Sequence, residues 1–219
     1  MHAPYINIHS HNKIAPPFEG IENFNIEDIN SNQIFPLSYS IGLHPWNLNK
    51  NNVDSLLMQL ENLAYNNEVK AIGECGIDRV VSKDINLQRE VFYYQLELAE
   101  RLNKAIIIHN VRAFSDMLEI LKKLKPNIPL IFHGFTGNQE ILKKLLQYNS
   151  YFSFGYNLFN ENSKASRIIS KVPRNCLFLE TDEWEGRIDE IYAIASKKLN
   201  ISIIELRSQI YYSYKSLFL

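Results

Sequence analysis

The chain carries only two cysteines in 219 residues, Cys75 and Cys176, too few for a disulfide framework, and so suits a reducing compartment. It also lacks any excess of basic charge: 23 Lys+Arg stand against 24 Asp+Glu, for a formal net charge of −1. This excludes a global basic field of the kind that holds nucleic acid tightly. A neutral protein can still offer a locally positive cleft to a substrate it releases. No apolar run approaches the ~20 residues needed to span a bilayer. No basic segment followed by an apolar one opens the chain, since a strand-like run begins at Tyr5. Low-complexity segments, linkers and internal repeats are missing as well. These absences predict one soluble domain over residues 1–219, expected in the cytoplasm, monomeric and with no membrane partner.

What is present is an alternation. Short apolar runs, "YINIH" (5–9), "SYSIGLH" (38–44), "VKAIGEC" (69–75), "KAIIIH" (104–109), "PLIFH" (129–133), "YFSFG" (151–155) and "CLFLETD" (176–182), fit strands buried on both faces, as in a parallel sheet. Between them lie amphipathic stretches. Residues 87–102 set Leu87, Val91, Tyr94, Leu98 and Leu102 on one helical face. Residues 114–124 and 140–148 do the same with Leu118, Leu121, Leu124 and with Ile141, Leu145, Tyr148. A last helix is predicted to start at Ser202, with Glu205 three residues on in a capping-box pattern. Repeated βα units of this length point to an α/β fold, either a TIM-type (β/α)8 barrel or a doubly wound sheet. Residues 12–37 break the rhythm, being Asn- and Pro-rich, with at most a short strand at "GIENFNI". A barrel built from this chain would be imperfect, its first βα units shortened there.

The ends of the runs carry the chemistry. The first closes on His9-Ser10-His11, the second on His44, the third on Glu74, the next two on His109 and His133, and the last on Glu180-Thr181-Asp182. In a parallel barrel the active site is built at the C-terminal ends of the strands. Five of the six histidines fall there, His2 being the exception. Taken singly, His109 or His133 would more often be a satisfied core histidine than a ligand, and Asp182 a turn residue. The joint pattern points to a metal-centred site. Its donors exceed what one divalent ion needs when positions must stay open, whereas two ions sharing a carboxylate would use them economically. Mixed nitrogen and oxygen ligation without thiolate suits Zn²⁺, Mn²⁺, Mg²⁺ or Co²⁺ and does not choose among them.

These motifs together resemble the TatD family of metal-dependent deoxyribonucleases, within the amidohydrolase-like barrels. The resemblance rests on "NIHSH" (7–11), "GLHPW" (42–46), "AIGECGID" (71–78), "IIIH" (106–109), "FHGFTGN" (132–138), "FSFG" (152–155) and "LFLETD" (177–182), in the family's order. It implies an imperfect (β/α)8 barrel holding two divalent ions. His9, His11 and Asp182 would bind one ion, Glu74 would bridge, and His109 and His133 would complete the second. His44 would lie beside the site and contact a phosphate or the leaving group. The chain departs from the family at Asn7, where relatives carry Asp, and at "HNVRAF", where Arg112 is displaced by one position. Arg112 either reaches a phosphate or begins a helix. Where relatives place a small residue and Pro after E-T-D, this chain has Glu183-Trp184-Glu185. Trp184 either stacks on a base or covers the barrel mouth.

The expected activity is hydrolysis of phosphodiester bonds, with DNA trimmed exonucleolytically by family analogy. Asp182 and Glu74 are the catalytic carboxylates in this reading, Asp182 orienting the water and accepting its proton. Two alternatives stand beside it: hydrolysis of a small ester, lactone or amide, and a non-catalytic metal-binding protein. A positive, aromatic groove would favour the nuclease, for which Arg112, Phe114, Trp184 and Arg187 are the candidates.

Overall fold

A computed structural model of the chain describes residues 3–30, 32–81 and 84–219; His2 lies outside them. Eight strands follow one another in the sheet in chain order: β1 (Tyr5–Ser10), β2 (Phe18–Asn25), β3 (Tyr39–Gly42), β4 (Val69–Asp78), β5 (Ala105–Val111), β6 (Leu130–Phe132), β7 (Ser150–Phe154) and β8 (Leu177–Leu179). The helices are α1 (Val53–Ala64), α2 (Ile85–Leu102), α3 (Phe114–Leu124), α4 (Gln139–Leu145), α5 (Lys164–Ile168), α6 (Ile188–Leu199) and α7 (Ile203–Phe218). The pairs β1–β2, β3–β4, β4–β5 and β7–β8 are parallel, and a parallel bridge joins Ser10 to Asp182. A doubly wound sheet would reverse its strand order part-way. Strict chain order, with the segment after β8 meeting β1, is the TIM-type (β/α)8 barrel fold. Among the described residues no helix is long and apolar enough to cross a membrane.

The first βα units are pared down. Among the described residues, no α-helix lies between β1 and β2, and only a 3-10 turn, Ile26–Asp28, lies between β2 and β3. β2 is nonetheless longer than the sequence reading allowed, starting at Phe18. Its burial alternates, with Ile21 and Asn23 inside. A strand buried on one face has no continuous apolar run to betray it. Edge contact between the Tyr5 and Phe18 rings, centroids 5.9 Å apart, marks the start of the β1–β2 pairing.

The chain forms two compact units, Met1–Glu22 with Phe132–Leu219, and Asn23–Ile131. In the first, Tyr192 of α6 is fully buried and reaches β1, where its hydroxyl accepts from the Ile6 N–H and donates to the Ile6 carbonyl, each at 3.1 Å. Burial pushes that phenol well up, so it stays a neutral donor. Helix α7 begins as its sequence predicts, the Ser202 hydroxyl accepting the Glu205 N–H at 3.1 Å. Its Arg207 donates to the Ala3 carbonyl and lies over the Tyr5 ring at 4.1 Å.

In the second unit, α2 buries a face that differs in part from the predicted one. Leu87, Tyr94 and Leu102 are half-buried, whereas Gln88 and Gln95, seven residues apart, are completely buried. Each glutamine clamps one backbone residue. Gln95 accepts from the Leu43 N–H (2.8 Å) and donates to the Leu43 carbonyl (3.1 Å). Gln88 does the same at Asp78, at 2.8 and 3.2 Å. Val91 and Leu98 are buried as the periodicity predicts, but two interior positions beside them are polar and satisfy strand-end groups that would otherwise be buried without partners.

The end of β4 is also tied to α3. The Arg79 guanidinium forms two bonds to the buried Asp116 carboxylate, at 2.7 and 2.8 Å, and Arg89 adds a third at 2.5 Å. Chiefly through Arg79, the pair holds the Asp116 carboxyl below the usual carboxylate range. A depressed folded-state pKa contributes stability that is complete above the unfolded carboxyl value of about 3.9 and fades as pH falls through the folded one. Urea midpoints should therefore place Asp116→Asn well below the parent at pH 6, with the gap closing as pH drops from about 5 towards 3. A gap constant over that range would contradict the assignment.

Candidate metal-binding groups

In the unit formed by residues 1–22 and 132–219, the end of β1 is laced to the turn after β8. The Asp182 N–H donates to the His9 carbonyl and the His11 N–H to the Asp182 carbonyl, both at 3.0 Å. Asp182 takes a left-handed backbone, φ +55°, which aspartate tolerates better than most residues. The lacing brings Asp182 Oδ1 to 3.5 Å from His9 Nε2 and 3.6 Å from His11 Nε2. The His9 ring lies 4.7 Å from that of His133. His9 is fully buried, His133 half-buried and His11 exposed, so the group has one open side.

Those separations are longer than hydrogen bonds. Ligand atoms on a tetrahedral ion with bonds of about 2.0–2.1 Å lie roughly 3.3 Å apart, close to what is found here. Two imidazoles and a carboxylate gathered at that spacing fit a divalent cation. Glu180, also fully buried, supports the group from beneath. Its Oε1 accepts the Gly134 N–H at 2.6 Å and lies 3.8 Å from His133 Nδ1. Burial pushes its carboxyl up, against the pull of His133 and His9.

Asn7 is bonded to Thr181. Its amide donates to Thr181 Oγ1 at 2.8 Å and its carbonyl accepts the Thr181 N–H at 3.0 Å, one residue before Asp182. Thr181 Oγ1 donates to Ser10 Oγ (3.0 Å), which donates to the Asn12 carbonyl (2.9 Å). The result is a one-way chain of donors running from Asn7 along the ligand-bearing turn.

In the unit of residues 23–131 a second group forms on Glu74, buried near the middle of β4. His109 Nδ1 lies 2.8 Å and His44 Nε2 3.3 Å from Glu74 Oε1. The Glu74 N–H donates to Asn23 Oδ1 at 2.7 Å. Gly76 allows β4 and β5 to close here: it has φ +155°, and a Cβ there would lie 1.9 Å from the His109 carbonyl oxygen. The two imidazoles are not equivalent. His44 Nδ1 accepts the Trp46 N–H at 3.2 Å, so in neutral imidazole its Nε2 carries the proton and faces Glu74 as a donor. His109 Nε2 lies 3.2 Å from Asp78 Oδ2. Asp78 also accepts from Trp46 Nε1 at 2.7 Å and from the Val80 N–H at 2.8 Å. Burial raises the Asp78 carboxyl, but the Trp46, Val80 and His109 hydrogen bonds outweigh it and hold it below the usual range. Both ring nitrogens of His109 thus face carboxylates, Nδ1 at hydrogen-bond distance from Glu74 and Nε2 from Asp78; with an ion on Nδ1, an anionic Asp78 would take the Nε2–H, the arrangement a metal ligand needs. Glu74 and His109 therefore fit a divalent ion, with His44 as their proton-bearing neighbour.

Asp78, Trp46 and Glu180 all stand inside the quoted motifs, yet their roles are not readable from the letters. The signal was their place at strand ends; what it lacked was which nitrogen or carboxylate each would meet. Arg112 is exposed just beyond β5, with φ +52°. Arg187 is engaged by Asp189, at 3.0 and 2.7 Å. Trp184 is half-buried two residues beyond Asp182.

The profile of the family described as TatD related DNase matches residues 23–185. The chain belongs to the TatD family. YabD of Bacillus subtilis, named a metal-dependent hydrolase, is 36% identical over 152 residues, covering 65% of this chain and 57% of YabD. YjjV of Escherichia coli, named likewise, is 30% identical over 175 residues, 78% of this chain and 67% of YjjV. The alignment with YabD thus spans little more than half of that relative's length. Among solved structures, the YjjV TatD homologue superposes with a TM-score of 0.82 at 22% identity, over 100% of this chain and 99% of that one. A TatD family hydrolase from Entamoeba histolytica gives 0.77 at 17% identity, over 100% and 99%. At those identities the likeness is one of fold.

Two substitutions test how this TatD family member holds its ligands. Asn7→Ala should weaken divalent-ion binding roughly tenfold or more, read by competition with a chromogenic chelator. Asn7→Asp, which can accept from both Thr181 donors, should lose much less. Asp78→Asn removes the anionic acceptor opposite His109 and should weaken ion binding about tenfold to a hundredfold in the same assay. Folded variants that bind as tightly as the parent would refute these roles.

Proposed function

We propose that the chain is a metal-dependent hydrolase that cleaves phosphodiester bonds of DNA, using water activated by two divalent ions. One ion would be held by His9, His11 and Asp182, and the other by Glu74 and His109. The observation that carries the reading is the gathering of imidazoles on a carboxylate in each unit, around Asp182 at 3.5–3.6 Å and around Glu74 at 2.8–3.3 Å. Membership of the TatD family, and relatives named metal-dependent hydrolases, support it. Bound divalent ions supply a lowered pKa for water and stabilisation of charge on the attacking and leaving oxygens.

The chain's own groups complete the reaction. The Asp182 side chain is 39% exposed and can both orient an incoming water and accept its proton. His44, whose Nε2–H faces Glu74, would turn that proton to a phosphate or leaving oxygen once Glu74 is engaged by an ion. The exposed Arg112 guanidinium matches phosphate oxygens in a bidentate pair. With a net charge of −1, affinity for the polymer is low and turnover is favoured over retention.

The test is cleavage of single- and double-stranded DNA with Mg²⁺, Mn²⁺ or Zn²⁺, beside a generic ester and a small phosphodiester. DNA and the phosphodiester should be cleaved and the ester left. Asp182→Ala should lower kcat by at least about a hundredfold, and His109→Ala should lose bound metal. Ester turnover without DNA cleavage under any ion would overturn the reading.

A further inference from the structure

Three aromatic rings stand together where the chain leaves β7 and β8. Tyr156 comes one residue after Gly155, and Trp184 two residues after Asp182. Phe154 is in register with Leu179, and the Glu180 N–H donates to the Phe154 carbonyl at 3.1 Å. Both loops therefore leave the same end of one strand pair, the end that carries Asp182. The Trp184 ring lies 5.4 Å from that of Tyr156 and 5.3 Å from that of Phe159, and the latter two are 5.5 Å apart. Mutual contact leaves much of this surface open: Tyr156 is 56% exposed and Phe159 39%. Three adjacent aromatics facing water beside a catalytic carboxylate are costly to keep unless something covers them.

Two further features say what would cover them. The indole of Trp184 is seated over Gly186, where a Cβ would come within 2.1 Å of its Cζ2, and the Trp184 N–H donates to the Thr181 carbonyl at 2.9 Å. A ring held over bare backbone in a bonded turn is set before any ligand arrives. The exposed charges of these segments are of both signs, Glu161, Lys164 and Arg167 after the Tyr156–Phe159 turn and Glu183 and Glu185 flanking Trp184, while Arg187 is paired with Asp189. With no one sign of charge prevailing, the contact this surface favours is stacking of the aromatics on a flat ring.

We propose that Tyr156, Phe159 and Trp184 form a stacking platform for an unpaired nucleobase of the strand being cleaved. The assignment rests on the phosphodiester reading above, which puts a nucleoside beside the scissile phosphate. In a duplex both faces of a base are already covered, so the platform selects single strands or frayed ends.

Two measurements test the platform separately from the nuclease reading. With divalent ions removed by chelator, oligothymidylate should saturably quench tryptophan emission, and an abasic sugar–phosphate oligomer of equal length should not. The quenching should vanish in Trp184→Ala, which retains only Trp46. In the Mn²⁺ cleavage assay, kcat/KM for a strand bearing natural bases, relative to one abasic around the scissile phosphate, should fall roughly tenfold in Trp184→Ala and Tyr156→Leu. Tyr156→Phe should restore the ratio. No quenching by oligothymidylate, or a ratio unmoved by these variants, overturns the platform even if DNA is cleaved. Base-dependent quenching with no cleavage of any strand upholds the platform and overturns the nuclease reading.

Discussion

Two backbone hydrogen bonds, from Asp182 to His9 and from His11 to Asp182, set the terms for everything built around them. They lock the last residues of β1 against the turn after β8, and they do so with atoms every residue carries. The side chains of His9, His11 and Asp182 then have little freedom left to lose when an ion arrives, which is the entropic requirement for tight ligation. Layers of support repeat the theme. Tyr192 holds the start of the same strand, and the donor chain from Asn7 through Thr181 and Ser10 stiffens the turn. None of these groups would touch a substrate, yet each limits how far a ligand atom can stray.

The group around Glu74 solves the same problem with side chains. Glu74, His44, His109, Asp78 and Trp46 form a bonded set in which Trp46 and Asp78 bias where each imidazole carries its proton. Two glutamines on one face of α2 keep the strand ends in place by satisfying the backbone of Leu43 and Asp78. A buried polar network of this kind is worth having only when nearly all of its members are satisfied, and here Asp78, Trp46 and Asn23 supply partners to Glu74 and the two imidazoles.

Much of this was legible in the letters. Parallel strands buried on both faces announce themselves as apolar runs, and the polar residue that ends each run marks the barrel face where sites are built. That is why His9, His44, Glu74, His109, His133 and Asp182 stood out before any coordinates. Other features were hidden for physical reasons. β2 alternates and so shows no apolar run. The interior of α2 is partly glutamine, so hydrophobic periodicity finds only part of its buried face. The proton positions on His44 and His109 depend on distances to Trp46 and Asp78 that no spacing rule encodes. Arg187, read from sequence as a cation for a substrate groove, is spent on Asp189 two residues away.

The left-handed backbone at Asp182 has an evolutionary corollary. Only glycine, asparagine and aspartate enter that region cheaply, and of these only aspartate brings a charge. A longer carboxylate would strain the turn that laces it to His9 and His11, while asparagine would give up the charge and glycine the side chain. Drift at this position is therefore constrained twice over, by the backbone and by the need for a charge, and a descendant of this chain in which no charge was needed here would find asparagine or glycine the easiest exit.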